Sequence, residues 1–362
     1  MSRVRVAVVF GGRSSEHAIS CLTAGSVMAA IDKDRYEIVP VGIARDGRWV
    51  LASGQRLAIE DGNLPEVAGD GLPLALPAGS GLMVVEPGEV PRALGDVDVV
   101  LPLLHGPYGE DGTIQGLLEL AGVRYVGAGV FASAASMDKA FMKVVWQGAG
   151  LPVGPYVVVG DRRWRRERKR VVDEVKELGW PVFVKPARAG SSMGITRVES
   201  EADLEAAVEA AREHDPKVIV EAAIEGREIE CGVLEGLDDE PPEASLPAEV
   251  RLGPGHDHYD FEAKYLDDAL RLDIPPDLPP PVIEEVRKLS VQAFEALACE
   301  GLARVDFFYT PDGRVILNEI NTMPGCTPAS AFPKMWAATG LDYPALVDRW
   351  IRTALARSIG LR

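Results

Sequence analysis

Four side chains towards the C-terminus have the types and spacing of a charged reaction centre: Arg304, Asp306, Glu319 and Asn321. They lie in GLARVDFFYTPDGRVILNEINTMPG, residues 301–325, which reads as two strands joined by a tight Pro-Asp-Gly turn at 311–313. Strand side chains alternate between faces, so Arg304 and Asp306 share one face of the first strand, and Glu319 and Asn321 one face of the second. In register, one surface of the hairpin carries a guanidinium, two carboxylates and a carboxamide. Val305, Phe307, Ile316 and Ile320 make the other surface mostly apolar. Carboxylates and a carboxamide are hard oxygen donors, a set that suits Mg²⁺ better than zinc. A plain amphipathic hairpin would alternate in the same way. What favours a site is the Thr-Met-Pro-Gly turn, 322–325, directly after the oxygen donors.

A second constellation is suited to anions. PARAGSSMG, residues 186–194, joins two expected strands, and its glycines and serines let backbone N–H groups turn towards a bound phosphate. Lys185, at the end of the preceding strand, would bring its ammonium to the same oxygens. The P-loop pattern, with GKS/T opening a helix, is absent from this stretch. Lys139 opens a helix after Ser136-Met137-Asp138, with Ser136 as the expected N-cap. Glu221 closes an apolar strand and Glu228 opens the next. Such a crossover exposes backbone groups to a purine edge and a carboxylate to ribose hydroxyls, although charged strand ends are common without function.

These residues need a scaffold, and the pattern supplies one. Residues 4–10 are a near-continuous apolar run, as in a strand buried on both faces of a parallel sheet, followed by Gly11-Gly12 and a helix to about residue 31. That opens a doubly wound α/β unit, without the third glycine of a dinucleotide fingerprint. Strands follow at 36–43 and 97–104, and residues 54–92 read as an insertion of loops and short strands. Three domains are expected, at 1–136, 137–234 and 235–362. Residues 253–268, GPGHDHYDFEAKYLDD, form a long polar and aromatic loop of a kind that is uncommon unless functional.

The composition narrows the possible partners. The chain has 362 residues and a net charge of −17, which argues against nucleic acid as the main ligand. The run 162–170 holds seven Lys or Arg in nine residues and is expected to be a solvated helix face. No apolar run reaches the roughly 18 residues of a membrane span, and residues 4–10 lead into glycines and do not read as a signal peptide, so a cytoplasmic protein is expected. Cys21, Cys231, Cys299 and Cys326 show no CxxC spacing and are expected to be reduced thiols, with Cys326 accessible.

Seven ordered segments together resemble the ATP-grasp superfamily and, within it, the D-alanine–D-alanine ligase family, across nearly the whole chain. They are VFGGRSSEHAIS (9–20), LHGPYGEDGTIQG (104–116), MDKAFMK (137–143), FVKPARAGSSMGI (183–195), YDFEAKYL (259–266), ARVDFF (303–308) and NEINTMPGCTPAS (318–330). The resemblance implies an α/β fold of the ATP-grasp type: an N-terminal doubly wound α/β domain plus two α+β domains that enclose the nucleotide. It implies that ATP phosphorylates one D-alanine carboxylate and that the amine of a second D-alanine attacks the acyl phosphate. Lys139 and Lys185, with Ser191 and Ser192, would bind the ATP phosphates, and the Ser191–Gly194 loop would cover them. Glu221, Ala222, Ala223 and Ile224 would line the adenine pocket, and Glu228 would hold the ribose. Asp306, Glu319 and Asn321 would carry two Mg²⁺ ions, for which Mn²⁺ would substitute. Arg304 and the Gly325 N–H would face the oxyanion. Glu16 would hold the first D-alanine ammonium, His105 would lie near its carboxylate, and Ser330 would bind the second carboxylate. Ser191 and Tyr265 would hydrogen-bond to each other and to Glu16, and Lys264 would reach the transferring phosphate. A homodimer is implied on the same basis. The competing readings are another ATP-grasp carboxylate–amine ligase, relatives that form D-alanyl-D-lactate, and a nucleotide-binding module without catalysis; Tyr265 favours the dipeptide.

Overall fold

The computed structural model describes the chain apart from residues 1, 2, 56, 60, 61, 78, 80, 191, 192, 239, 253–269, 361 and 362. Three sheets organise it. In the first, β1 (Val4–Gly11) lies between two parallel neighbours, β2 (Tyr36–Ile43) and β7 (Val99–Pro102). The unbroken apolar run from Val6 to Phe10 in β1 follows from burial on both faces. Val6, Val8 and Phe10 enter one core cluster, Ala7 and Val9 another. Helix α1 (His17–Ala30) adds Cys21, Ala24 and Val27 to the first cluster, and α2 (Thr113–Ala121) adds Ile114, Leu118 and Ala121 to the second. Strand β8 (Arg124–Tyr125) closes one edge. At the other edge, β3 (Trp49–Leu51), β4 (Leu72–Ala75), β5 (Gly81–Val84) and β6 (Arg92–Asp96) run antiparallel. The insertion at 54–92 thus widens the first sheet as a meander.

Helices α3 (Val130–Met137) and α4 (Lys139–Gly148) lead out of this unit. The N-cap of α4 is Asp138, not the expected Ser136: Asp138 Oδ1 accepts the N–H groups of Ala140 and Phe141, each at 3.1 Å. Ser136 is too early in the chain to cap α4, because it is still inside α3, where it is buried.

The second sheet is antiparallel, in the order β11 (Thr196–Val198), β10 (Val182–Pro186), β12 (Lys217–Ala222), β9 (Tyr156–Gly160). Val182, Val184, Val218 and Val220 pack beneath α5 (Asp161–Glu177) and α6 (Glu201–Arg212). The basic run lies on α5 and is matched by acidic side chains: Arg163 pairs with Glu174, Arg168 with Glu205 and Arg165 with Asp161. These pairs fit a solvated, locally neutralised helix face.

The third sheet runs β16 (Leu270–Asp273), β15 (Ala248–Leu252), β13 (Arg227–Leu234), β17 (Leu302–Tyr309), β18 (Val315–Asn321), with β14 (Glu243–Ala244) paired to β13. The expected division at residue 234 puts β13 with the second sheet, but its whole length pairs with β17. The reason is apolar alternation: Ile229, Cys231 and Val233 join the core under α7 (Pro280–Ala296) with Val286, Ala293 and Phe294. Helices α8 (Ala331–Thr339) and α9 (Tyr343–Ala356) follow. Leu346, Val347, Trp350 and Ile351 of α9 share the cluster that contains Val6 and Phe10, so the C-terminal helix covers a face of the N-terminal sheet. Tyr36 donates its hydroxyl to Asp348 at 2.7 Å across this contact. All four cysteines are free and buried; Cys326, expected to be accessible, has no exposed surface.

Candidate active site

The hairpin of β17 and β18 has the expected register at its functional end: Arg304 lies opposite Asn321 and Asp306 opposite Glu319. The next pair is Phe307 with Leu317, so Asn318 is an extra, bulged residue. The bulge changes one expectation. Ile316 comes to lie opposite Phe308, whose parity matches Asp306, and it stays out of the apolar cluster that holds Val305, Phe307, Val315, Leu317 and Ile320. The bulge leaves Asn318, Glu319 and Asn321 all lining a cleft of about 1570 Å³ enclosed by the three sheets.

On the cleft face the charges are tied together. Arg304 donates to Asp306 through Nε and Nη2, each at 2.7 Å, and Asn321 Nδ2 donates to the same carboxylate at 3.1 Å. Glu230, on the neighbouring strand, is 3.4 Å from Arg304 Nε. Among the described residues no group of three or more His, Cys, Asp or Glu side chains is arranged to hold a metal alone. Two carboxylates and a carboxamide fit Mg²⁺ nonetheless, because that ion keeps water and phosphate oxygens and takes only one or two carboxylates from protein.

The second sheet supplies the anion side. Alternation leaves Phe183, Lys185 and Glu221 facing the cleft while the valines between them are buried. Lys185 Nζ is 2.6 Å from Glu221 Oε2, and Lys143 Nζ is 2.9 Å from Oε1. Burial alone would raise the Glu221 pKa, but the two ammonium groups overcome it and hold the carboxyl well below the usual carboxylate range. Lys139 Nζ donates to the carbonyl of Ala189 at 3.1 Å and lies 3.6 Å from Glu319, linking the loop after β10 to the hairpin. Ala222, Ile224 and Glu228 line the cleft beyond Glu221, and Ala223 between them gives its N–H to the Pro181 carbonyl.

The first sheet supplies the third wall. Glu16 is at the N-cap of α1, yet its side chain makes no capping bond; the carboxylate reaches into the cleft. A Cβ at Gly106 would lie 2.6 Å from Glu16 Oε2, and one at Gly190 would lie 3.0 Å from it, so a side chain at either position would press the carboxylate out of its present place. His105 is buried, with Nδ1 3.1 Å from the Met323 carbonyl. A carbonyl only accepts, so Nδ1 carries the proton and Nε2 keeps its lone pair; Nε2 is buried and has no protein partner among the described residues. Burial pushes the His105 pKa down, against the opposing pull of Glu16, and favours the neutral ring. Ser330 opens α8, its hydroxyl 2.8 Å from that of Thr327, and closely abuts Gly325.

The expected Ser191, Ser192, Lys264 and Tyr265 lie outside the described residues. Of the other expected residues, all but Ala223 line the one cleft. Sequence reasoning did not single out Lys143, Glu230 and Glu110. Spacing signals exist for two of them: Lys143 is one helical turn from Lys139, and Glu230 is two residues from Glu228 on the same strand face. Glu110 had only its place in the GEDG segment.

Comparison with known proteins identifies relatives along the whole chain. A family model described as "D-ala D-ala ligase N-terminus" matches residues 5–128, and one described as "D-ala D-ala ligase C-terminus" matches residues 145–352. A D-alanine–D-alanine ligase of Kineococcus radiotolerans is 60% identical over 370 residues, covering 99% of this chain and 98% of the relative. One from Arthrobacter sp. is 58% identical over 368 residues, covering 100% and 96%. Among solved structures, the VanG D-Ala:D-Ser ligase from Enterococcus faecalis superposes with a TM-score of 0.83 at 34% identity, covering 98% of this chain and 100% of that one. The D-alanine–D-alanine ligase from Coxiella burnetii gives 0.79 at 33% identity, covering 98% and 94%. By sequence along its whole length and by fold, the chain belongs to the D-alanine–D-alanine ligase family.

Proposed function

We propose that the chain joins two D-alanine molecules into D-alanyl-D-alanine with consumption of ATP, supplying a precursor of peptidoglycan. One observation carries the reading: lysines suited to phosphate, hard oxygen donors, an arginine suited to an oxyanion and a carboxylate suited to an ammonium all line a single cleft.

The order of events follows from charge. Lys139 and Lys185 hold the ATP phosphates, Glu221, Ala222, Ala223 and Ile224 border the adenine, and Glu228 accepts from the ribose. Glu16 takes the ammonium of the first D-alanine, which leaves its carboxylate directed towards the phosphates. Two Mg²⁺ ions, held by Asp306, Glu319 and Asn321, would neutralise phosphate charge when bound. The carboxylate displaces ADP from the γ-phosphate, giving an acyl phosphate. Ser330 holds the carboxylate of the second D-alanine, and its deprotonated amine attacks the activated carbonyl. Negative charge grows on that oxygen, where Arg304 and the Gly325 N–H receive it; one such donor is worth roughly 2.7–4 kcal/mol of barrier. Phosphate then leaves. Ser191, Ser192, Tyr265 and Lys264 belong to the proposal as lid residues that exclude water from the acyl phosphate. A cytoplasmic homodimer completes it. Among the described residues no helix is long and apolar enough to cross a membrane, and light scattering on a sizing column tests the dimer.

The test is ADP release that depends on D-alanine, with product identified by mass spectrometry. A dipeptide mass is expected; no D-alanine dependence would reject the reading. The structural neighbour named as a D-Ala:D-Ser ligase makes the second acceptor a specific alternative. Offering D-serine and D-lactate across pH decides it. An amine must be deprotonated to attack and a hydroxy acid has no such need, so the profiles diverge.

A further inference from the structure

Glu110 has no part in the chemistry above, yet it stands where the first and third sheets meet. Its Oε2 accepts the Gly106 N–H at 2.7 Å and its Oε1 accepts the Met323 N–H at 3.3 Å. The Met323 carbonyl, in turn, accepts from His105 Nδ1 at 3.1 Å. Both main-chain groups of Met323 are therefore gripped by side chains of the 105–110 loop. That loop is itself well tied. Gly109 and Glu110 donate to the Gly106 carbonyl at 3.1 and 2.9 Å, and Gln115 Nε2 donates to the Gly109 carbonyl at 2.8 Å. The Met323 side chain is buried in the core cluster of the N-terminal sheet. Two residues further on is Gly325.

We propose that Glu110 is a positioning residue: together with His105 it clamps the Met323 peptide, and through that clamp it fixes the 322–325 turn and the Gly325 N–H at the reacting carbonyl. The clamp needs two acceptor oxygens, one for each N–H. A carboxyl group supplies an accepting lone pair on each oxygen whether ionised or protonated, whereas an amide of the same shape would turn an NH₂ group towards one of the donors. Withdrawal from solvent and the nearby Glu16 push the Glu110 carboxyl up to about 8, with the two N–H groups and Arg304 pulling the other way, so near neutral pH the group mostly keeps its proton. The clamp therefore rests on the placement of two oxygens and not on a charge. The kinetic consequence rests on the ligase reading; the clamp itself does not.

The test uses Glu110→Gln, which keeps the length and loses one acceptor, and Glu110→Asp, which keeps both oxygens and is one methylene short. In the ligand-free full-length chain, amide exchange across 322–325 is expected to speed up in both variants while exchange in β13 stays unchanged. In the assay with ATP and D-alanine, kcat is expected to fall about 30–100-fold with KM for ATP within about twofold, the pattern of a group displaced by about 1 Å at the reacting centre. Unchanged exchange across 322–325 in either variant overturns the clamp. So does a kcat within about threefold of the parent, or a KM for ATP that rises in step with the loss, which marks general loosening. If the parent chain releases no ADP with D-alanine, the ligase reading fails, and the exchange measurement alone still decides the clamp.

Discussion

Arg304 and Asp306, two residues apart on one strand face, form a two-armed ion pair with both contacts at 2.7 Å. In the proposed reaction the arginine serves the oxyanion and the aspartate serves a metal, so each holds the other in place until ligands arrive. The pair is about 13% exposed at each side chain, where a fork-to-carboxylate contact is strong and directional.

Replacing Arg304 by alanine is therefore expected to lower turnover by at least about 100-fold, since it removes a donor that acts on the transition state. Lysine should recover little, because a single ammonium cannot reproduce the fork. Single-turnover product formation is the measurement, and undiminished product from Arg304→Ala would refute the assignment.

The donor set also predicts when a metal binds. Asp306, Glu319 and Asn321 give too few charges to strip Mg²⁺ of its water unaided. Calorimetry with Mg²⁺ alone should show no saturable binding at millimolar concentration, and addition of ADP should produce it. Glu319→Gln should raise the Mg²⁺ needed for half-maximal turnover by about tenfold or more, and chelation should abolish activity reversibly. Tight binding of Mg²⁺ to the nucleotide-free chain would contradict this account.

Much of this was legible in the sequence because period-two alternation separates Lys185 and Glu221 from Val184 and Val220, and Arg304 and Asp306 from Val305, before any contact is known. What alternation cannot show is a register shift. The bulge at Asn318 puts Ile316 opposite Phe308 and outside the apolar cluster, and nothing local in VILNEIN marks it. Contacts between distant segments were equally hidden. Glu110 reaches Met323 across 213 residues, and Asp348 reaches Tyr36 across 312. The first decides where a loop sits and the second which sheet a helix covers, and both depend on tertiary packing alone.

Glu16 is crowded by Gly106 and Gly190, which puts the loop proposed to cover phosphate against the carboxylate proposed to hold the ammonium. Gly190→Val should push the carboxylate aside and raise KM for D-alanine by about tenfold, equivalent to about 1.4 kcal/mol. KM for ATP should change less, because Lys185 is held by Glu221 and Lys139 lies beside Glu319 as well as the Ala189 carbonyl. An unchanged KM for D-alanine would show that the loop and the carboxylate move independently.

Glu221 predicts a pH dependence with a definite sign. Its carboxyl is buried between Lys143 and Lys185 and held well below its ordinary value of 4.5. Above that value folded and unfolded chains are both ionised there, and the full stabilisation is present. As pH falls below it, the unfolded chain takes up the proton first, and the stabilisation is lost towards the folded pKa. Glu221→Gln should leave two ammonium groups without their carboxylate, at a cost of about 3 kcal/mol near neutrality. The difference in Tm between parent and variant should thus stay level from pH 8 to about 5 and shrink below about 4.5. Thermal unfolding across that range checks it, and a difference that widens on acidification would mean that the carboxylate is not held by the two lysines.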